Sequence, residues 1–181
     1  MTAQNPMQTS IDHIIIAVAD LAGASAGYSA LLGRAPSWHG AHPDYGTANT
    51  LFKLDNTYIE LLAPQSEGMA ADIVNRILST RGPCLGGLVF GTESADDCIS
   101  HARSQGLEAS DPVPGHGVDE QTGAERRWRN MFWDPAAARG IFSFCIEHEA
   151  ESTLPEAAPH GAGAIAGVDH VVVKTQSAEA A

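Results

Sequence analysis

The sequence predicts an α+β protein built from tandem βαβββ units, with the first strand of a third unit at its end. Three observations predict it. Ile11-Asp12-His13-Ile14-Ile15-Ile16 recurs as Val168-Asp169-His170-Val171-Val172-Val173, 157 positions later, and self-similarity of this kind marks repeated supersecondary units. A weaker copy, Leu85-Gly86-Gly87-Leu88-Val89-Phe90-Gly91, lies between them. Each of the first two copies leads through a short polar stretch into a helical pattern.

In the first unit, Ile11 to Val18 is short and rich in β-branched residues, which predicts a buried strand. Asp20 is placed to cap a helix carrying Leu21, Ala24, Tyr28, Leu31 and Leu32 on one face, and Gly33 stops it. Pro36 to Tyr45 reads as loop, with a short strand at Trp38 and His39. Thr47 to Leu54 and Tyr58 to Leu62 read as strands joined by a turn at Asp55-Asn56. A linking helix follows over Met69 to Thr80, with Ile73, Ile77 and Leu78 on one face, ending before Gly82-Pro83.

The second unit has its strand at Leu85 to Phe90 and its helix at Ala95 to Ser104, stopped at Gly106. Asp111 to Gly123, rich in Gly and Pro, reads as an irregular loop. Gly115-His116-Gly117 within it is too small a pattern for a phosphate loop. Arg126 to Phe132 and Ile141 to Glu147 supply the remaining strands. The expected organisation is therefore a first unit over 1–64, a linker helix over 65–83, a second unit over 84–148, an acidic linker over 149–167 and a truncated third unit over 168–181. A Val-rich strand with no sheet to join is an aggregation hazard. Hence either the chain is a fragment of a longer protein, or residues 168–174 pair with a neighbouring chain in a homodimer.

Composition narrows the partners. Of 181 residues, 22 are acidic and 10 basic, a formal net charge of −12, whereas polyanions and anionic membranes are held by clustered Lys and Arg. No nucleic acid and no membrane partner is expected. A content of 44% hydrophobic and 18% charged residues is that of a chain able to bury a core. The apolar runs fall far short of the roughly 18 residues a membrane helix needs, and Met1 to Ser10 lacks the pattern of a signal peptide. A cytoplasmic location is the expectation. Cys84, Cys98 and Cys145 lack metal-ligand spacing and read as core fillers.

The opening Ile-Asp-His-Ile-Ile-Ile, the closing Tyr58-Ile59-Glu60-Leu61-Leu62, Gly46-Thr47-Ala48-Asn49, Arg127-Trp128-Arg129 and the ending Phe144-Cys145-Ile146-Glu147-His148 together resemble the vicinal-oxygen-chelate superfamily. That superfamily includes glyoxalase I, extradiol dioxygenases, methylmalonyl-CoA epimerase and bleomycin-resistance proteins. The similarity is strongest to its glyoxalase-like domain subgroup. The resemblance implies that the paired units curl a mixed sheet into an open barrel with flanking helices. In metal-binding members each unit gives one ligand from its first strand and one from its last. Carried over, this implies His13 and Glu60 from the first unit and Glu147 from the second, holding a divalent ion such as Fe, Mn, Zn, Mg or Ni. The remaining ligand position falls on Gly87, a departure from the pattern.

The residues point to the same place by another route. His13 and Glu60 interrupt otherwise apolar strands, and charged groups there cost free energy unless paired or metal-bound. A Glu60–His13 hydrogen bond satisfies both without a metal. Two functional readings stand open. One is a metal-dependent lyase, isomerase or dioxygenase acting on a small vicinal-oxygen substrate, with Glu60 or Glu147 as proton-transfer base. The other is a metal-free small-molecule-binding protein of the bleomycin-resistance kind. Candidate ligand contacts are Asn49, Tyr58, Trp128 and Arg129, with Phe142 or Phe144 as further walls and the acidic surface favouring a cationic ligand. Only one of Glu147 and His148 should enter the cavity, because neighbours in a strand face opposite ways. His42 and His116 read as solvated loop residues. His170 is a further candidate, as a source of the imidazole that Gly87 lacks.

Overall fold

The computed structural model describes residues 10–134, 137–138, 140–150, 152 and 156–174. The first unit runs β1 (Ile11–Ala17), α1 (Leu21–Leu32), β2 (Trp38–His42), β3 (Thr47–Lys53) and β4 (Tyr58–Pro64). Helix α2 (Met69–Arg81) links it to the second unit: β5 (Cys84–Gly91), α3 (Ala95–Ser104), β6 (Val113–Asp119), β7 (Glu125–Phe132) and β8 (Ser143–His148). The strands close a barrel in the order β1-β4-β3-β2-β6-β7-β8-β5. Within each unit the first strand runs parallel to the last, β1 with β4 and β5 with β8. The units meet where β1 lies antiparallel to β5 and where a short β2–β6 contact pairs Gly40 with Asp119. Both halves of the barrel thus come from one chain.

The local reasons match the sequence signals. The Asp20 carboxylate accepts from the Gly23 amide at 3.0 Å, and Gly33 ends α1 in the left-handed conformation with φ 67°, where a Cβ would be strained. Ser94 caps α3 in the same way through the Asp97 amide. Helix α1 covers one side of the barrel, where Leu21, Ala24, Tyr28 and Leu32 pack on Val18, Phe52, Leu61 and Ala63. Leu31, expected on that face, is 66% exposed, one step of about 100° off the buried stripe. Helix α3 covers the opposite side, placing Cys98 and Ile99 on Met131 and Cys145.

Two segments depart from expectation. The stretch from Val113 to Asp119 is strand β6 rather than loop. Its glycines make room for a ring: Gly115 lies opposite Trp128 in the ladder, and a Cβ on Gly115 would collide with that indole. Residues 168–174 form no strand. The Asn56 side chain holds the backbone of Val168 in both directions, at 2.8 and 3.1 Å, and the Asp55 amide donates to Ala166. Just upstream, the buried Arg34 donates to the carbonyls of Lys53 and Ile165, each at 2.6 Å. The start of the segment is therefore held against the first unit, while Val172 and Val173 lie near Leu85 to Leu88 of β5 and Phe142 of the second unit. The helix start expected over 174–181 and the polar 1–9 fall outside the described residues, Lys174 excepted. Among the described residues no helix is long and apolar enough to cross a membrane, a statement that leaves β-barrel membrane proteins aside.

Candidate functional site

Period-two alternation turns one face of each strand into the barrel. From β1 this brings His13 and Ile15; from β3, Thr47, Asn49 and Leu51; from β4, Tyr58, Glu60 and Leu62. From β7 it brings Arg126, Trp128 and Asn130, and from β8 Phe144 and Ile146. These residues, with Met69, Ala70 and Ile73 of α2, line a cavity that is partly open to solvent.

His13 is the hub of the polar end. It is only 3% exposed; its Nδ1 lies 2.7 Å from Asp12 Oδ1 and its Nε2 3.2 Å from Glu60 Oε2. The ring stacks on Tyr58, with centroids 4.5 Å apart. Burial pulls the imidazole pKa down, but hydrogen bonds to two carboxylates outweigh it and raise the pKa above its ordinary value. Burial likewise pushes Glu60 up, and bonds from His13 and Asn49 overcome it, leaving its carboxyl at about 2. Asp12 is also penalised by burial, yet His13 and His148, the latter 3.1 Å away, hold it well below the usual carboxylate range.

Asn49 locks the other side. Its Nδ2 donates to Glu60 Oε1 at 2.7 Å and meets His42 Nε2 at 3.1 Å, while its Oδ1 accepts from Trp38 Nε1 at 3.2 Å. That network assigns the amide orientation and makes His42 Nε2 an acceptor. Nδ1 of His42 then donates to Thr47 Oγ1 at 3.0 Å. His42 thus faces the cavity from β2 rather than solvent, and burial lowers its pKa. His116 lies on β6, with Nε2 3.5 Å from Glu125.

Of the residues singled out from sequence, the structure brings together His13, Glu60, Asn49, Tyr58 and Trp128, with Phe142 and Phe144 beside them. It does not bring Glu147 or Arg129 to them. Glu147 accepts from Arg129 Nη2 at 2.6 Å and from the Ala95 amide at 2.8 Å, where the N-terminus of α3 favours a negative charge. Arg129 also reaches Asp96 at 3.0 Å. Both belong to the outer face of their strands, and His148 takes the inner parity. His170 is exposed and meets Asp169 at 2.6 Å.

Arg126 was not legible as a site residue, because attention to the cations beside Trp128 falls on Arg127 and Arg129. Residues 126, 128 and 130 share a parity, and β7 shows it: Arg126, Trp128 and Asn130 are buried while the flanking arginines face outward.

Strand pairing tests the fit of a metal. Asp20 and Ser94 are equivalent helix caps, so counting back equally from each sets Gly87 against His13 and Val89 against Ile15. Ile15 lies opposite Glu60, and Val89 opposite Phe144. The counterpart of Glu60 is therefore Phe144, three residues before Glu147. The Gly87 position is closed as well, since a Cβ there would stand 2.8 Å from the Phe142 carbonyl oxygen and 2.9 Å from its ring. The second unit offers an apolar wall where the superfamily pattern needs two donors, and both ring nitrogens of His13 already face carboxylates. Among the described residues no group of three or more His, Cys, Asp and Glu side chains is arranged to hold a metal ion. The donor set does not fit the superfamily's metal.

Fold and cavity define the class: paired βαβββ units curled around an internal site, as in the vicinal-oxygen-chelate superfamily. The sequence model of the glyoxalase-like domain matches residues 11–181, and the chain belongs to that family. No curated protein matches it in sequence. Among solved structures it is similar to methylmalonyl-CoA epimerase from Mycobacterium tuberculosis, at 25% identity and TM-score 0.66, over 83% of this chain and 95% of that one. Methylmalonyl-CoA epimerase of Streptomyces coelicolor, in complex with 2-nitronate-propionyl-CoA, is 23% identical with TM-score 0.63, over 81% and 99%. A hypothetical protein from Bacillus halodurans shares the fold at 23% identity and TM-score 0.65, over 81% and 99%.

Proposed function

We propose that this chain is a small-molecule-binding member of the glyoxalase-like family, which encloses an organic ligand in its barrel without the superfamily's metal. One observation carries the reading: Gly87 and Phe144 occupy the second unit's two ligand positions. The lyase, isomerase or dioxygenase reading draws on a metal-donor set that is not assembled among the described residues. A metal-free proton transfer of the kind an epimerase performs would fall to Glu60. That carboxylate is tied by two donors and held at about 2, which makes it a weak base at neutral pH. What the cavity offers instead is a fixed polar end, aromatic walls and a mouth, the usual anatomy of a ligand pocket.

The test uses the protein dialysed against EDTA, with Trp38 and Trp128 as fluorescent reporters in or beside the cavity. Members of a panel of small aromatic and aliphatic compounds should quench the fluorescence saturably, and Ile146→Trp, which fills the cavity, should abolish the effect. Binding that arises only after Mn, Zn or Fe is added would contradict the proposal.

A further inference from the structure

The cavity holds a second charged group with no counter-ion. Arg126 is 6% exposed, yet among the described residues its guanidinium makes no ion pair, and its buried Nε has no hydrogen-bond partner. Three aromatic rings surround it instead: Trp38, Tyr58 and Trp128, with centroids 5.5, 6.0 and 5.9 Å from its central carbon. Ring faces attract a cation, and the Tyr58 hydroxyl is a hydrogen-bond partner of the guanidinium, but none of these groups carries the negative charge that would neutralise it. Glu60 is the carboxylate lining the same cavity, and both of its oxygens are committed, one to Asn49 and one to His13.

Arg34, the other buried arginine, has an unpartnered Nε as well, but both of its terminal nitrogens donate to backbone carbonyls outside the cavity. Arg126 differs, and it lines the cavity. A buried cation left uncompensated is costly, whereas a carboxylate seated against it would form a charge-assisted, two-pronged contact. We infer that the ligand of this cavity is an organic carboxylate, and that Arg126 is the group that recognises it. The inference rests on the small-molecule-binding reading above and names its ligand class. It also reverses the expectation of a cationic ligand, because the net charge of −12 is spread over a surface screened beyond about 10 Å at 0.1 M salt.

Benzoate and its neutral counterpart benzamide test it, titrated into the EDTA-dialysed full chain and read by Trp fluorescence and thermal shift. Benzoate should bind the wild type about tenfold or more tighter than benzamide. Arg126→Gln should bring benzoate down to the level of benzamide, and Arg126→Lys should keep part of the preference. Equal affinity of acid and amide for the wild type overturns the inference and leaves the binding role intact. That comparison needs no variant to fold. Undiminished benzoate binding by Arg126→Gln overturns it equally. Binding of both compounds only with added metal overturns the binding role itself, and no binding of either up to about 10 mM overturns both.

Discussion

His13 sits between two carboxylates, and this sets the protein's response to pH. Its raised pKa means that the imidazolium contributes stability fully below its unfolded value of 6.5, and that the contribution is lost as pH climbs through the folded value. Glu60 behaves oppositely: its contribution is present above 4.5 and lost as pH falls toward about 2. Urea denaturation across pH should therefore show stability falling above 6.5 as His13 loses its proton and below 4.5 as Glu60 gains one, while His42, buried with a lowered pKa, adds a loss that begins as pH drops below 6.5. His13→Ala should lose the alkaline limb and cost about 3–5 kcal/mol, because it leaves Asp12 and Glu60 buried and unpaired. A flat alkaline limb in the wild type would contradict this. The pair was legible in sequence because a charge inside an apolar strand demands a partner. Arg126 was not, since nothing local distinguishes it from its outward neighbours until the strand's phase is fixed by Trp128.

At the scale of elements, the repeat and the cap of α1 were readable because Asp20 follows directly on an apolar strand, whereas Ser94, which caps α3 at the matching place, was not singled out. Strand β6 was hidden by its glycines, which are loop signals in isolation and space for the Trp128 indole in the barrel. The Val-rich segment 168–174 was readable as a strand but joins no sheet within the chain, and its start binds side-chain and backbone groups near Asn56 instead. The assignment of Glu147 failed for a different reason. A strand ending in a carboxylate resembles the first unit's Tyr-Ile-Glu-Leu, but only pairing register fixes which residue faces inward, and register comes from the neighbouring strand. Glu147 is accordingly a partner of α3 and Arg129. Glu147→Gln should cost about 1 kcal/mol through the weakened helix start and ion pair, while ligand quenching of Trp128 stays unchanged. A loss of ligand binding in that variant would place Glu147 in the site after all.

For the whole molecule, the two units have diverged in role while keeping one topology. The first supplies the polar cluster of His13, His42, Asn49 and Glu60. The second supplies Arg126 and the hydrophobic wall of Trp128, Phe142, Phe144 and Ile146. A superfamily metal would need donors from both. The central claim is that the cavity works without one, and the most direct measurement is the metal content of protein purified without chelator, beside His13→Ala and Glu60→Ala. Substoichiometric metal is expected, the same in all three proteins, with no rise after incubation with Fe, Mn, Zn or Ni followed by desalting. One metal per chain in the wild type, absent from both variants, would contradict it.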